Sequence, residues 1–157
     1  MKTADLVDAH AEKLSLIHLP FRKFGEKSHF AAPVQTIKCF EDNTILRSVL
    51  ETDGRGRVLV VDGGGSTRIA ILGDILVQLA INNDWAAIVL NAAIRDSAQI
   101  SKMNTSVFAL ATSPIKSAKK GWGEVSCSVH IGGVEINPGD WLYADEDGVL
   151  HSKEKLF

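Results

Sequence analysis

Hydrophobic and polar positions along this chain follow two periods, one helical and one strand-like. Between Thr3 and Ile17 the apolar residues Leu6, Val7, Leu14 and Ile17 stand among charges at helical spacing, with Thr3 or Asp5 near the start and Pro20 beyond the end. Val34 to Phe40 alternates in a strand-like way. Asp42-Asn43 then offers an N-cap for a helix through Ile45, Leu46, Val49 and Leu50, ending near Gly54. Val58-Leu59-Val60-Val61 is an unbroken apolar run, the pattern of a strand covered on both faces. It empties into Asp62-Gly63-Gly64-Gly65-Ser66, a loop only small residues permit. A helix is predicted from Gly73 or Asp74 to about Asn82, with Ile75, Leu76, Leu79 and Ala80 as its buried stripe. Ala86 to Leu90 and Val107 to Ala111 read as two further buried strands. Between them Ser97 to Met103 reads as a short helix entered through Arg95-Asp96.

The final third changes character. Val125 to Ile131 and Val134 to Ile136 alternate about Gly132-Gly133, a hairpin signal. Pro138-Gly139-Asp140 marks a turn before the apolar Trp141 to Ala144, and the acidic turn Asp145 to Gly148 leads to Val149-Leu150. No repeat, low-complexity tract or linker divides residues 1–157. The expectation is one α/β domain with a strand-rich C-terminal third.

Composition narrows the class without naming a function. The 157 residues are 45% hydrophobic and 23% charged, which is ordinary for a globular chain able to bury its own core. A formal net charge of −2 leaves no strongly basic footprint, so direct nucleic-acid binding is not expected. Lys2, Asp5, Asp8, Glu12 and Lys13 interrupt the first residues, and no apolar stretch is long enough to span a bilayer. A cytoplasmic protein with no membrane contact is the expectation. Cys39 and Cys127 are far apart and outside any Cys-x-x-Cys pair, so two unpaired thiols are expected. The five histidines show no metal-binding spacing.

Three features carry candidate chemistry. The glycine loop after Val61 resembles turns that let a backbone approach a nucleotide, but it lacks the Gly-Lys-Ser/Thr of a phosphate loop, and tight packing explains it equally. Gly73-Asp74 stands at a helix start, where free N–H groups suit an anion, although Asp74 is also an ordinary cap. Arg95-Asp96 follows a buried strand: the Arg suits a carboxylate and the Asp a hard cation such as Mg²⁺ or Mn²⁺, while a turn salt bridge is the plain alternative. Twenty residues, Ile75 to Ile94, separate the two pairs, enough for one helix and one returning strand. Both pairs can therefore reach the same sheet edge.

Those residues also carry a resemblance. VLVVDGGGS at Val58–Ser66, the Gly-Asp and Arg-Asp pairs twenty residues apart, and PGDWLYADEDGV at Pro138–Val149 resemble the RraA-like family. That family includes class II 4-hydroxy-4-methyl-2-oxoglutarate aldolases and regulators of ribonuclease E activity. The resemblance implies a β/β/α swivelling-type fold, assembled as a homotrimer or a dimer of trimers with sites between subunits. It further implies that Arg95 binds the carboxylate of a small 2-keto acid, that Asp96 holds the divalent metal, and that the backbone of Gly73, Asp74, Ile75 and Leu76 donates to bound pyruvate. Asp74 would take part in proton transfer. The implied reaction is cleavage of 4-hydroxy-4-methyl-2-oxoglutarate to two pyruvates, with oxaloacetate decarboxylation as a secondary activity. The alternative is a non-catalytic partner that binds and inhibits ribonuclease E. In such regulators the Gly-Asp and the final Asp are replaced, whereas both carboxylates are present here. Longer aldolases also supply an acidic residue from a neighbouring subunit, for which Glu124 and Asp145 are the candidates in this chain.

Overall fold

The computed structural model describes all of residues 1–157. It opens with α1 (Thr3–His10), a 3-10 turn at Ala11–Lys13, then β1 (Ser15–Leu16), β2 (Arg22–Phe24), β3 (Phe30–Lys38) and α2 (Thr44–Leu50). The middle is β4 (Val58–Asp62), β5 (Ala70–Leu72), α3 (Asp74–Asn82), β6 (Ala87–Leu90), β7 (Ala93–Ile94), α4 (Ser97–Ile100), β8 (Ser106–Ala109) and β9 (Ala111–Thr112). The last third holds β10 (Glu124–Val125), β11 (Val129–Ile131), β12 (Val134–Ile136), β13 (Trp141–Asp145) and β14 (Gly148–Ser152).

The unbroken apolar runs become the middle of a large sheet of order β1-β14-β13-β3-β4-β6-β8-β2, in which β3, β4, β6 and β8 are parallel. Alternate residues of β4 face opposite ways, as the pleat requires. Leu59 and Val61 join Leu46, Leu50, Val77, Ala80 and Ile100 under the helices. Val58 and Val60 join Ile131, Ile136, Leu142 and Val149 under the β11–β12 hairpin and the C-terminal strands. Helices thus cover one face and strands the other, the layered α/β arrangement expected.

Three parallel strands each step from the large sheet into a smaller one. Chain order takes β4 to β5, β6 to β7 and β8 to β9, and the small sheet runs β5-β7-β9. The expected strand Val107–Ala111 therefore breaks at Leu110, whose N–H donates to the Ala92 carbonyl at 2.9 Å as the chain changes sheets. No hydropathy pattern marks that step, because both halves are apolar.

Other boundaries shift for physical reasons. The N-terminal helix stops at His10 rather than Ile17, since Ser15 and Leu16 pair with His151 and Leu150. The helix expected from Ser97 to Met103 ends at Ile100 and continues as turns. In α3 the buried stripe is Leu76, Val77 and Ala80, while Ile75 is 72% exposed. The expected strand Val125–Ile131 divides, with Glu124 and Val125 pairing onto the end of β3 and Val129–Ile131 forming the hairpin with β12.

One polar clamp fixes the N-terminal helix. Asp145 is buried, and its carboxylate accepts the Thr3 N–H and the Thr3 hydroxyl, each at 2.7 Å, and the Asp147 N–H at 2.9 Å. Burial alone would raise its pKa, but the donated hydrogen bonds from Thr3, Asp147 and Gly148 outweigh it and hold the group below its ordinary 3.8. A carboxyl whose folded pKa is depressed contributes stability that is present above the unfolded value and lost as pH falls through the folded one. We expect Asp145→Asn to lower the urea midpoint at neutral pH and to flatten the acid limb below about pH 4. Chemical denaturation of both proteins from pH 7 to 2.5 measures this, and parallel acid limbs would refute it.

Candidate functional site

The site grows out of the small sheet. Strands β5 and β7 are parallel neighbours with Leu72 opposite Ile94, and the Arg95 N–H donates to the Leu72 carbonyl at 2.9 Å. The next residues of each strand, Gly73-Asp74 and Arg95-Asp96, therefore leave the sheet side by side. Gly73 leads into α3, with its carbonyl accepting the Val77 N–H at 3.1 Å. Asp96 leads into α4 from a left-handed backbone conformation, φ 57°, which Asp tolerates better than most side chains.

Close approach explains the glycine. Asp96 Oδ2 accepts the Asp74 N–H at 3.3 Å, and a Cβ on Gly73 would stand only 2.8 Å from that same oxygen. It would also meet Arg95 Cγ at 3.6 Å. Any larger residue at position 73 must push Asp96 aside.

The start of α3 is an open donor set. No side chain caps it, and Asp96 engages only the first N–H. The N–H groups of Ile75 and Leu76 have no acceptor within their own helix, and they stand at the positive end of its dipole. They line a cleft of about 130 Å³ together with Gly73, Asp74, Arg95 and Asp96. All six residues singled out from the sequence meet there.

The cleft also holds residues the sequence did not point to. Arg47 of α2 and Lys116 and Lys119 of the 113–120 loop complete its wall, giving four cations against two carboxylates. Arg47 is engaged by Glu51 at 3.0 Å, whereas the side chains of Arg95, Lys116 and Lys119 make no ion pair or hydrogen bond within the chain. The lysines were legible only as a basic loop, because what brings them here is long-range: Lys116 bridges to Ala70 and Ala118 to Asp42. Asp42 is fully buried, and its carboxylate accepts the N–H groups of Thr44 at 2.9 Å and Lys120 at 2.6 Å. Burial opposes its ionisation, yet those N–H groups keep its pKa below the ordinary carboxylate value.

The glycine loop lies outside this cleft. Two of its N–H groups are engaged: Gly64 donates to Asp62 Oδ1 at 3.0 Å and Gly65 to the Asn91 carbonyl at 3.0 Å. A Cβ on Gly63 would sit 2.6 Å from the Ala92 Cβ. Packing against the β6–β7 corner accounts for the glycine at position 63. Both cysteines are free, and burial followed by the charges of Asp42 and Asp62 pushes the Cys39 thiol up to about 12, which leaves it unreactive. Asp145, a candidate for the outer shell of a metal, is committed to Thr3, and Glu124 lies on the exposed β10. No helix is long and apolar enough to cross a membrane.

Comparison with known proteins places the chain in a family. A family model described as RraA-like, aldolase/RraA, matches residues 3–151. A protein of Aromatoleum aromaticum, provisionally named 4-hydroxy-4-methyl-2-oxoglutarate aldolase, is 46% identical over 155 residues, covering 99% of this chain and 98% of the relative. Among solved structures, the RNA-processing inhibitor RraA from a Thermus species superposes with a TM-score of 0.95 at 43% identity, covering 100% of this chain and 95% of that one. A Geobacillus kaustophilus protein named as an S-adenosylmethionine:2-dimethylmenaquinone methyltransferase superposes with a TM-score of 0.97 at 45% identity, over 99% and 97% of the two chains. Coverage is end to end in each case, and with the matching family model it establishes that this chain belongs to the RraA-like family.

Proposed function

We propose that this protein is a divalent-metal-dependent class II aldolase that cleaves 4-hydroxy-4-methyl-2-oxoglutarate to two pyruvates. One observation carries the reading: a single cleft brings together an uncapped helix start, an unpaired arginine and two carboxylates. The provisional aldolase name of a relative at 46% identity supports the same activity.

The donor set suits a hard cation that keeps much of its water. Nowhere in the chain do three or more His, Cys, Asp or Glu side chains converge, so a cation here would draw on Asp96, with Asp74 close by. Asp96 would hold Mg²⁺ or Mn²⁺, hard cations that keep several of their waters and fit such a sparse oxygen donor set. When bound, the cation supplies Lewis-acid polarisation of the substrate's C2 carbonyl.

The chain's own residues do the rest. Arg95 grips the C1 carboxylate in a two-pronged fashion, and the Ile75 and Leu76 N–H groups donate to the same end of the substrate. Asp74 receives the proton of the C4 hydroxyl by way of a water. The C3–C4 bond then breaks, C4 becomes the carbonyl of one pyruvate, and the bonding electrons pass to the C1–C3 fragment as pyruvate enolate. Fixed positive charge from Arg95 and the helix start stabilises that enolate as it forms. Return of the proton from Asp74 to C3 completes the second pyruvate. Oxaloacetate losing CO₂ yields the same enolate, so decarboxylation follows as a secondary activity. In the family's usual arrangement a trimer, or a pair of trimers, would close the cleft with a neighbouring subunit.

The name of the Thermus relative favours a second reading, a protein that restrains a ribonuclease. That activity needs a surface rather than the open donors of this cleft. A pull-down with ribonuclease E that survives Asp96→Ala would place it elsewhere on the molecule.

Two outcomes test the first reading. Pyruvate release should require Mg²⁺ or Mn²⁺, stop with EDTA, and fall about a thousandfold or more in Asp96→Ala. Turnover that persists in excess EDTA, or full activity in that variant, rejects the metal-dependent mechanism. Gly73→Ala should keep its folded circular dichroism yet lose about a hundredfold in kcat/KM, because the added methyl displaces the Asp96 carboxylate. Near wild-type kinetics for Gly73→Ala would show that Asp96 need not stand where it does.

A further inference from the structure

We infer that Glu41 is a positioning residue, docked on the glycine loop after β4, and that this contact holds the cleft wall formed by residues 113–120. The kinetic consequence rests on the aldolase reading; the structural one does not. Glu41 stands three residues before α2, and its backbone is left-handed, φ 53°. Glutamate seldom takes that conformation, which persists only where the surroundings impose it. Its side chain supplies the constraint. Oε2 accepts the Ser66 hydroxyl and Arg68 Nε, each at 2.7 Å, and Oε1 accepts Arg68 Nη2 at 2.7 Å. The two-pronged grip of Arg68, with the Ser66 hydroxyl behind it, brings the Glu41 carboxyl down to about 2, so it is ionised at neutral pH. Glycine lets the loop come this close: a Cβ on Gly64 would stand 2.6 Å from Phe40 Cδ1.

The 113–120 loop lies between two segments that this ion pair ties together. On one side the Ala70 N–H donates to the Ile115 carbonyl at 2.9 Å, and the Ser113 hydroxyl donates to the Arg68 carbonyl at 2.6 Å. On the other, the Ala118 N–H donates to the Glu41 carbonyl at 3.0 Å, and the Ala118 carbonyl accepts the Asn43 N–H at 3.3 Å. The buried carboxylate of Asp42 then takes the Lys120 N–H at 2.6 Å. Arg68 and Glu41 thus each hold the loop by a backbone carbonyl and hold each other by their side chains. Their pairing sets the spacing of the two segments, and with it the place of Lys116, Ser117 and Lys119 on the cleft wall. Gly73-Asp74 and Arg95-Asp96 are placed instead by the pairing of β5 with β7. Loosening the ion pair should therefore disturb one wall and spare the other.

The experiment compares Glu41→Gln, Arg68→Met and their double variant with the wild type. Glu154→Gln is the control, since it removes an exposed ion pair with Lys13 of 2.6 Å whose residues do not line the cleft. In both single variants the Ala118 and Lys120 amides should exchange hydrogen about tenfold faster or more, while the amides of β4 and β6 keep wild-type protection. On 4-hydroxy-4-methyl-2-oxoglutarate, KM should rise about tenfold with kcat within about twofold of the wild type. The double variant should be no worse than either single one, because both remove the same interaction. Glu154→Gln should match the wild type in exchange and kinetics. Arg68 is mostly exposed, so Arg68→Met keeps the comparison open if Glu41→Gln does not fold. Wild-type exchange at Ala118 and Lys120 in Arg68→Met overturns the inference, as do additive losses in the double variant or a loss carried by kcat alone. If the wild type does not cleave the substrate the aldolase reading fails, and the exchange contrast still decides whether Glu41 holds the wall.

Discussion

The parallel pairing of β5 with β7 is the constraint on which the site depends. Parallel strands leave a sheet in the same direction, so whatever follows Leu72 and Ile94 must emerge together. The pairing turns a separation of twenty residues into neighbouring turns. It then forces a second condition, because the two turns approach so closely that Asp96 Oδ2 stands 2.8 Å from where a Cβ of residue 73 would be. Glycine satisfies it. At the same close approach Asp96 takes a left-handed backbone and Gly73 enters α3 extended.

That small sheet is held in place by the large one. Each of its strands continues from a fully buried parallel strand, so β4, β6 and β8 set the order in which β5, β7 and β9 lie. The apolar core therefore supports the chemistry indirectly, through backbone position. Truncating Leu59 or Val61 on the helical face, or Val60 on the other, would cost about 2–5 kcal/mol for the larger side chains and loosen the frame beneath the cleft. Core residues and cleft residues form separate sets, and the link between them is hydrogen-bonded register.

The same separation explains what the sequence revealed. Buried strands are legible as unbroken apolar runs, which is why β4 and β6 were found nearly to the residue. The pairs Gly73-Asp74 and Arg95-Asp96 were legible because their spacing is short enough to be one helix and one strand, whereas Ile75 and Leu76 entered the site only through the family resemblance. Ile75 was misjudged as core because the 3.6-residue period cannot tell a buried face from one turned toward an open cleft; it is 72% exposed. The steps between sheets at Asn91–Ala92 and Leu110 were invisible, since both sides are apolar. Lys116 and Lys119 looked like a solvated loop for a different reason. Their place depends on a carboxylate at Asp42, far away in the sequence, and on strand-like bridges that no local pattern encodes.

Charge shows most clearly why local arrangement decides function. The whole chain carries a formal net charge of −2, which by itself would repel an anionic substrate. The cleft reverses that sign, with four cations against two carboxylates and the positive end of α3 besides. Of the acids near those cations, Glu51 pairs with Arg47 along one helix, whereas Asp42 binds backbone N–H groups and leaves the lysine side chains free. Asp96 likewise accepts a backbone N–H instead of pairing with Arg95. Acidic groups committed to backbone donors leave the cationic side chains of Arg95, Lys116 and Lys119 unsatisfied, and an unsatisfied cluster of cations beside an open helix start has the electrostatics that suit an anion.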